Sequence, residues 1–423
     1  MSLLDPILHR AIKAGRLKVT KTDGSRVQFG GLEPGPDAAI RFTEPGVERQ
    51  ILLNPELGGP EAYMDDKLVI EEGTLHDVIR IFMINRDRMN QSPFQRFWQE
   101  VAHRFRFIQQ YNPASRAKKN VAVHYDIGED IYRLFLDRDM QYSCAYFPTG
   151  EETLEEAQTL KKRHIAAKLQ IADGQRILDI GCGWGGMGLY LAHLADVEVL
   201  GVTLSERQLK VAQRRAEILG VSDRVKFELL DYRAVTEKFD RVVSVGMLEH
   251  VGAGYLGEYF STVRDRLTDD GVALIHAISS IAPPGGSMPF LHKYIFPGGY
   301  TPALSETMTA VENSSLWLLD CEILRQHYGY TLAHWSERFA ANRDTAVQIM
   351  GERFCKMWEF YLTMCEASFM DGTSHVFQLQ LANKRDAVPI TRNYIEDEEE
   401  RLASIEKGFL DRVVGSAHMA LGN

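Results

Sequence analysis

Apolar residues recur with two different periods along this chain, and the switches between them lay out its elements. From Arg176 onward, short apolar runs alternate with amphipathic stretches. RILDIG, VEVLGVTL, RVKFELLDY, FDRVVSVGMLEHV and DDGVALIHAIS have the length and β-branched content of strands. MGLYLAHLA follows the first and SERQLKVAQRRAEILG the second, both with helical spacing. Ser205 suits the N-cap of the latter helix and Gly220 its stop. Such alternation predicts a parallel, doubly wound sheet, with ligands beyond the carboxyl ends of its strands.

The first 90 residues carry a different pattern. A helix is expected over about 3–16. KVTKTDGSRVQFGG then sets Asp23-Gly24 between two β-prone runs, a hairpin signal. AAIRFTEP and ERQILLN read as further strands, NPELGGPEAYMDDKLVI and GTLHDVIRIFMINRDRM as helices. In the last of these Leu75, Val78, Ile79, Ile81 and Phe82 form one apolar stripe, for a core or for a lipid groove. The helix PFQRFWQEVAHRFRFIQQY and the breaker NPAS follow. The chain thus divides into a small α/β domain over 1–90, a helical arm over 91–120 and a larger α/β domain over 121–423. Its end, NYIEDEEERLASIEKGFLDRVVG, reads as one charged helix whose acidic start suits the positive helix N-terminus.

Composition narrows the function classes. A length of 423 residues exceeds one ordinary core. No run approaches the roughly 18 apolar residues of a bilayer span. The N-terminus lacks the pattern of a secretion signal. Bilayer contact is therefore expected to be peripheral. Five cysteines, none at CxxC spacing, argue for a reducing cytosol and against a disulfide framework or thiolate zinc site. No metal site is expected. A net charge of -10 argues against a nucleic-acid partner. Between Val101 and Asn120, however, Arg104, Arg106, Arg116, Lys118 and Lys119 mingle with Phe105, Phe107, Ile108 and Tyr111. That stretch reads either as a solvated arm or as a surface for anionic headgroups.

The strongest chemical signal is Leu178-Asp179-Ile180-Gly181-Cys182-Gly183-Trp184-Gly185-Gly186. Its glycines let a ligand approach the backbone, and the following helix points free N–H groups at it. Such a loop could hold NAD, FAD or S-adenosylmethionine. A dinucleotide calls for an acid at the end of the second strand. Here that strand ends Thr203-Leu204-Ser205, and the first carboxylate is Glu206, inside the helix. The third strand ends Asp231-Tyr232, an acid and an aromatic suited to the amine and the face of adenine. A methyl donor is the better fit. Cys182 reads as a small residue in the loop.

Four further segments line up: His124-Tyr125-Asp126-Ile127-Gly128, Gln141-Tyr142-Ser143-Cys144-Ala145-Tyr146-Phe147, Gly246-Met247-Leu248-Glu249-His250 and His276-Ala277-Ile278. With YSCAYF placed before LDIGCGWGG, the sequence resembles the cyclopropane-fatty-acyl-phospholipid synthase family, which includes the mycolic acid cyclopropane synthases. The resemblance spans about 120–400. More weakly, residues 1–90 resemble the lipid-associated domain of the longer members.

The resemblance implies an α/β, doubly wound, Rossmann-like class I methyltransferase core with a smaller N-terminal α/β domain. It implies S-adenosylmethionine held by Tyr142, Ser143, Gly181, Gly183, Thr203, Gln208, Asp231 and Tyr232. It also implies a bicarbonate ion near Cys144, Glu249, His276, Ile278 and Tyr328, with Tyr330 a rival for the last position. In such a reaction methyl transfer to an alkene carbon leaves a cation on its neighbour. Loss of a proton from the new methyl then closes a cyclopropane, and a small anion serves as base and counter-charge. Cys144 is expected to act through its backbone, not as a nucleophile.

The implied substrate is an unsaturated phospholipid acyl chain. The implied location is cytoplasmic, peripheral at the inner membrane surface, with a homodimer as one open assembly. Relatives that intercept the cation otherwise give methyl-branched or hydroxylated chains, and others methylate oxygen or amines. A lipid-binding protein with a decayed core is a further alternative. The intact glycines, Asp231, Glu249 and His276 speak against it. The long segment SSIAPPGGSMPFLHKYIFPGGYTPALSE reads as lid and wall of an acyl channel. Phe354, Trp358, Phe360, Tyr361 and Met364 belong to that wall or to a core.

Overall fold

A computed structural model describes residues 4–90 and 128–422. The basic arm and His124–Ile127 lie outside the described residues. The chain forms two compact units. One is built from 4–90, 285–297 and 332–374, the other from 128–284, 298–331 and 375–422.

In the first unit a helix, Leu4–Ala11, precedes β1 (Ala14–Thr20), β2 (Arg26–Gly30), β3 (Glu33–Phe42) and β4 (Leu68–Glu72), in sheet order β2-β1-β3-β4. The Asp23-Gly24 turn joins β1 and β2 as an antiparallel hairpin. The first helix stops short of residue 16 because β1 has already begun. Gly15 there has φ +72, and a Cβ on it would meet the Pro36 carbonyl oxygen at 2.6 Å.

ERQILLN is helical, not extended: Gly46, at φ +92, turns the chain into the helix Val47–Leu53. One turn apart, Val47 and Ile51 then reach the same core. The next helix ends at Met64, and Asp66, at φ +58, frees Leu68–Glu72 to become β4. Thr74 and Asp77 form a capping box for the helix Leu75–Ile84. Its Val78 and Ile81 are core residues.

Residues 285–297 and 332–374, which the sequence pattern leaves in the C-terminal domain, pack in this unit. Phe290 meets Phe360 at 5.1 Å, and Trp358 meets Tyr361 at 5.1 Å. Phe290 and Trp358 are fully buried. Lys293 pairs with Glu61 at 2.6 Å and Arg80 with Asp371 at 3.0 Å.

The second unit holds a seven-stranded sheet. Its strands are β5 (Arg176–Ile180), β6 (Glu198–Thr203), β7 (Val225–Leu229), β8 (Phe239–Val245), β9 (Leu267–Ser280), β10 (Trp317–Leu324) and β11 (Ser374–Ala382). Their order is β10-β11-β9-β8-β5-β6-β7. β5 to β9 run parallel, while β10 and β11 pair antiparallel. The predicted fourth strand stops at Val245, and Leu248–His250 is a 3-10 turn. The order reverses between β5 and β8, so a crevice opens at their carboxyl ends. Helices Gly186–Leu194 and Glu206–Leu219 follow β5 and β6. Ser205 caps the second by accepting from Gln208 N, and Gly220 ends it at φ +67. The C-terminal segment is two helices, Asn393–Glu406 and Leu410–Leu421, with Gly408 in the break.

Candidate active site

A cavity sits where that reversal predicts. It is lined by the ends of β5, β6, β7 and β8 and by residues 140–143. All eight positions expected to hold the methyl donor line it: Tyr142, Ser143, Gly181, Gly183, Thr203, Gln208, Asp231 and Tyr232. Gly183, at φ +53, has no protein atom within 4 Å of its would-be Cβ, so the loop leaves its backbone open to a ligand. Thr203 Oγ1 donates to Gln208 Oε1 at 3.1 Å, which fixes both side chains. Arg233 grips the Asp231 carboxylate through Nε at 2.8 Å and Nη2 at 2.7 Å. Burial opposes ionisation of Asp231, but Arg233 outweighs it and holds the carboxyl below its ordinary range. The Arg233 guanidinium also lies 5.5 Å from the Tyr232 ring centroid.

Residues 137–144 are wired to the helix Leu154–Leu169, whose faces are nearly all buried. Lys161 Nζ donates to Gln141 Oε1 at 2.7 Å and to Ser143 Oγ at 2.8 Å. Lys162 Nζ donates to Asp139 Oδ2 at 2.6 Å. Arg215 pairs with the other Asp139 oxygen and reaches the Trp184 carbonyl in the glycine loop at 2.9 Å. Burial pushes Lys161 down to about 7, against the pull of Asp137 and Asp139.

None of the five positions expected around a small anion lines the cavity, though Cys144 and Glu249 are chain neighbours of the lining residues Ser143 and His250. Gly181 faces Met247, with a would-be Cβ 3.3 Å from the Met247 side chain. Two residues on, Glu249 Oε1 accepts from Ile278 N at 2.6 Å. Gly246 N donates to the His276 carbonyl at 2.9 Å, so the chain leaving β8 is held to β9 four residues before β9 ends. His276 and Ile278 share one face of β9. Glu249 Oε2 and His276 Nε2 are both buried, and neither has a hydrogen-bond partner among the described residues. Burial pushes the Glu249 carboxyl up to about 7 and holds His276 well below the ordinary imidazole range.

Cys144 is buried, and burial raises its thiol well above the usual value, as it does for Cys182. Both are therefore thiols, not thiolates. Ala145 N donates to Thr331 Oγ1 at 3.0 Å, which brings the helix His327–Ala341 to the YSCAYF segment. Tyr328 is buried on that helix, whereas Tyr330 is half-buried and packs edge-on to Phe147 at 5.7 Å.

Three contributors escaped the sequence reading. Gln141 and His250 line the cavity, and burial lowers His250 to about 4. Asp179 also lines it, with a buried Oδ2 that has no partner among the described residues. Burial lifts Asp179 to about 7, opposed by the Gly188 amide. An acid inside the glycine motif was the signal for this residue. The orphaned Asp179 oxygen fits a ligand bearing positive charge, and the bare glycine backbone fits its close approach. S-adenosylmethionine meets both conditions with its sulfonium and ammonium groups.

Gly186 opens the helix after the loop, and a Cβ there would lie 2.3 Å from Gln141 Nε2 and 2.6 Å from Asp139 Oδ2. Gly186→Ala is expected to weaken S-adenosylmethionine binding about tenfold, since overpacking costs about 1–3 kcal/mol. Calorimetric titration reads the loss, and unchanged affinity would contradict this geometry.

Fold and cavity together define an S-adenosylmethionine-dependent methyltransferase. The family model described as mycolic acid cyclopropane synthetase matches residues 113–379. A model described as a domain of unknown function (DUF7884) matches residues 4–93. The chain is 37% identical over 349 residues to the cyclopropane-fatty-acyl-phospholipid synthase of Escherichia coli K12, covering 81% of this chain and 87% of that one. It is 33% identical over 389 residues to a probable fatty acid methyltransferase of Pseudomonas putida, covering 90% and 94%. The solved cyclopropane synthase MmaA2 from Mycobacterium tuberculosis superposes with a TM-score of 0.61 at 31% identity, covering 64% of this chain and 99% of that chain. The chain belongs to the mycolic acid cyclopropane synthetase family.

Proposed function

We propose that this enzyme converts the double bond of an unsaturated phospholipid acyl chain into a cyclopropane ring. The observation that carries the reading is two buried polar atoms without a hydrogen-bond partner among the described residues, Glu249 Oε2 and His276 Nε2, on residues tied to the cavity-lining His250 and Gly246. The name of the E. coli relative supports the same substrate class.

S-adenosylmethionine supplies an electrophilic methyl when bound. Tyr142, Ser143, Gly181, Gly183, Thr203, Gln208, Asp231 and Tyr232 hold it in this reading, with Asp179 facing its positive charge. Bicarbonate, a small base and counter-charge, suits Glu249 and His276, with Cys144, Ile278 and Tyr328 around it. A carboxyl poised near 7 can keep a proton and donate it to that anion. The buried thiol of Cys144 excludes water without competing as a nucleophile.

Residues 1–90 serve in this reading as the lipid-associated domain and 91–120 as its arm, at the inner membrane surface. Among the described residues no helix is long and apolar enough to cross a membrane. The substrate therefore points to peripheral contact.

Purified protein, isotope-labelled S-adenosylmethionine and vesicles of unsaturated phospholipid test the reading. Lipid NMR should show label in a ring methylene. Label in a methyl branch would instead favour the reading suggested by the P. putida relative's name, and no labelled lipid would overturn both.

A further inference from the structure

His276 is buried within β9, and its Nδ1 is not left to chance. Gln378, on β11, sets its Nε2 3.2 Å from His276 Nδ1. Gln378 is itself fully buried, in a strand whose residues from His375 to Ala382 are all buried. Its amide could face either way on shape alone. Lys168 decides the matter, because its Nζ donates to Gln378 Oε1 at 2.8 Å. An ammonium only donates, so the amide oxygen must face it and the NH2 must face the histidine.

Lys168 is held in turn. It pairs with Glu322 and lies 3.9 Å from Asp320. His164 supports Glu322 from the other side at 2.6 Å and bonds Glu399 at 2.8 Å. Gln380, on the same face of β11, donates to the Lys168 carbonyl at 2.5 Å.

We infer that Gln378 is a positioning residue that locks His276 as a hydrogen-bond donor at Nε2, with Lys168 setting the orientation of Gln378. An NH2 aimed at Nδ1 requires a lone pair there, so a neutral ring carries its proton on Nε2. That is the buried atom with no hydrogen-bond partner among the described residues. Protonating Nδ1 would set two donors against each other. Burial and the nearby charges of Lys161 and Lys168 work in the same direction. His276 therefore presents a fixed N–H to its ligand and does not serve as the base. The role in the reaction rests on the functional reading above, but the tautomer does not.

The test uses the full chain labelled with ¹⁵N-histidine, with His276 assigned by the signal lost in His276→Gln. The expected spectrum has an unprotonated Nδ1 and a protonated Nε2. A ring protonated at Nδ1 overturns the inference, whatever any variant does. Gln378→Glu keeps the shape but offers acceptors to both Lys168 and the ring. It should draw the proton to Nδ1 and lower kcat about 100-fold, the scale of losing one preorganised donor. The affinity for S-adenosylmethionine should stay within about threefold, which a merely structural defect would not spare. A flipped ring with wild-type kcat would overturn the positioning role. Wild-type protein with the expected ring but no cyclopropane product would uphold the tautomer and overturn only the functional reading.

Discussion

Glu249→Gln is expected to lower turnover by about 10²- to 10³-fold while making the protein more stable above neutral pH. The amide keeps the acceptor that meets Ile278 N but removes the only ionisable group at that position. Burial raises the folded carboxyl from an ordinary 4.5 to about 7. Its ionised form therefore costs nothing below pH 4.5, costs increasingly between 4.5 and 7, and costs its full amount, roughly 3 kcal/mol, above that. Glutamine carries no such penalty at any pH. The stability advantage of the variant should thus grow from pH 5 to pH 8, as read by denaturation midpoints, while lipid methylation collapses. Near-full activity, or an advantage independent of pH, would remove Glu249 from the proposed chemistry. Asparagine or leucine would not separate the two effects so cleanly, since each alters the contact to Ile278.

The second large effect is on stability. Asp139→Asn leaves two buried cations, Lys162 and Arg215, without their shared anion. Removing one partner from a buried ion pair typically costs about 3–5 kcal/mol. Urea unfolding followed by circular dichroism should show a loss of that size, and a loss below about 1 kcal/mol would contradict the network. Burial disfavours the Asp139 anion, but Lys162 and Arg215 outweigh it and hold its carboxyl below the ordinary 3.8. Its contribution is therefore complete above pH 3.8 and is lost as pH falls through the folded value. The difference between variant and wild type should shrink only in strong acid. Donor affinity should fall as well, because Gln141 Nε2 leans on Asp139 at 3.0 Å and lines the cavity.

These predictions draw on two kinds of information, and the sequence carried them unequally. β5 to β9 were legible because each is a short apolar run ended by a glycine or polar turn. Of the eight positions expected to hold the methyl donor, Gly181, Gly183, Thr203, Asp231 and Tyr232 fall at those turns, whereas Tyr142, Ser143 and Gln208 were named only through the family resemblance. β10 and β11 were not. Among the described residues β10 is an edge strand, paired with β11, and mixes Asp320 and Glu322 with apolar residues, while Gln378 and Gln380 make β11 read as polar. The helix Leu154–Leu169 hid its function for a related reason. Lys161, Lys162 and Lys168 look like a solvated face until their distant partners are known, and Glu322 is 154 residues from Lys168. Local pattern records which residues are apolar, but not which charges will be buried together. ERQILLN failed differently: its apolar residues suit strand or helix, and a single left-handed glycine, Gly46, decided.

Arg215 reaches beyond Asp139 and the glycine loop. Its Nε donates to Ser416 Oγ at 2.9 Å and its Nη2 to the Val413 carbonyl at 3.0 Å, both on the final helix, Leu410–Leu421. One guanidinium thus bolts the chain's last turns to the rim of the cofactor pocket. Trimming those residues, or grafting a rigid fusion onto them, is expected to loosen the glycine loop from the far end of the polypeptide.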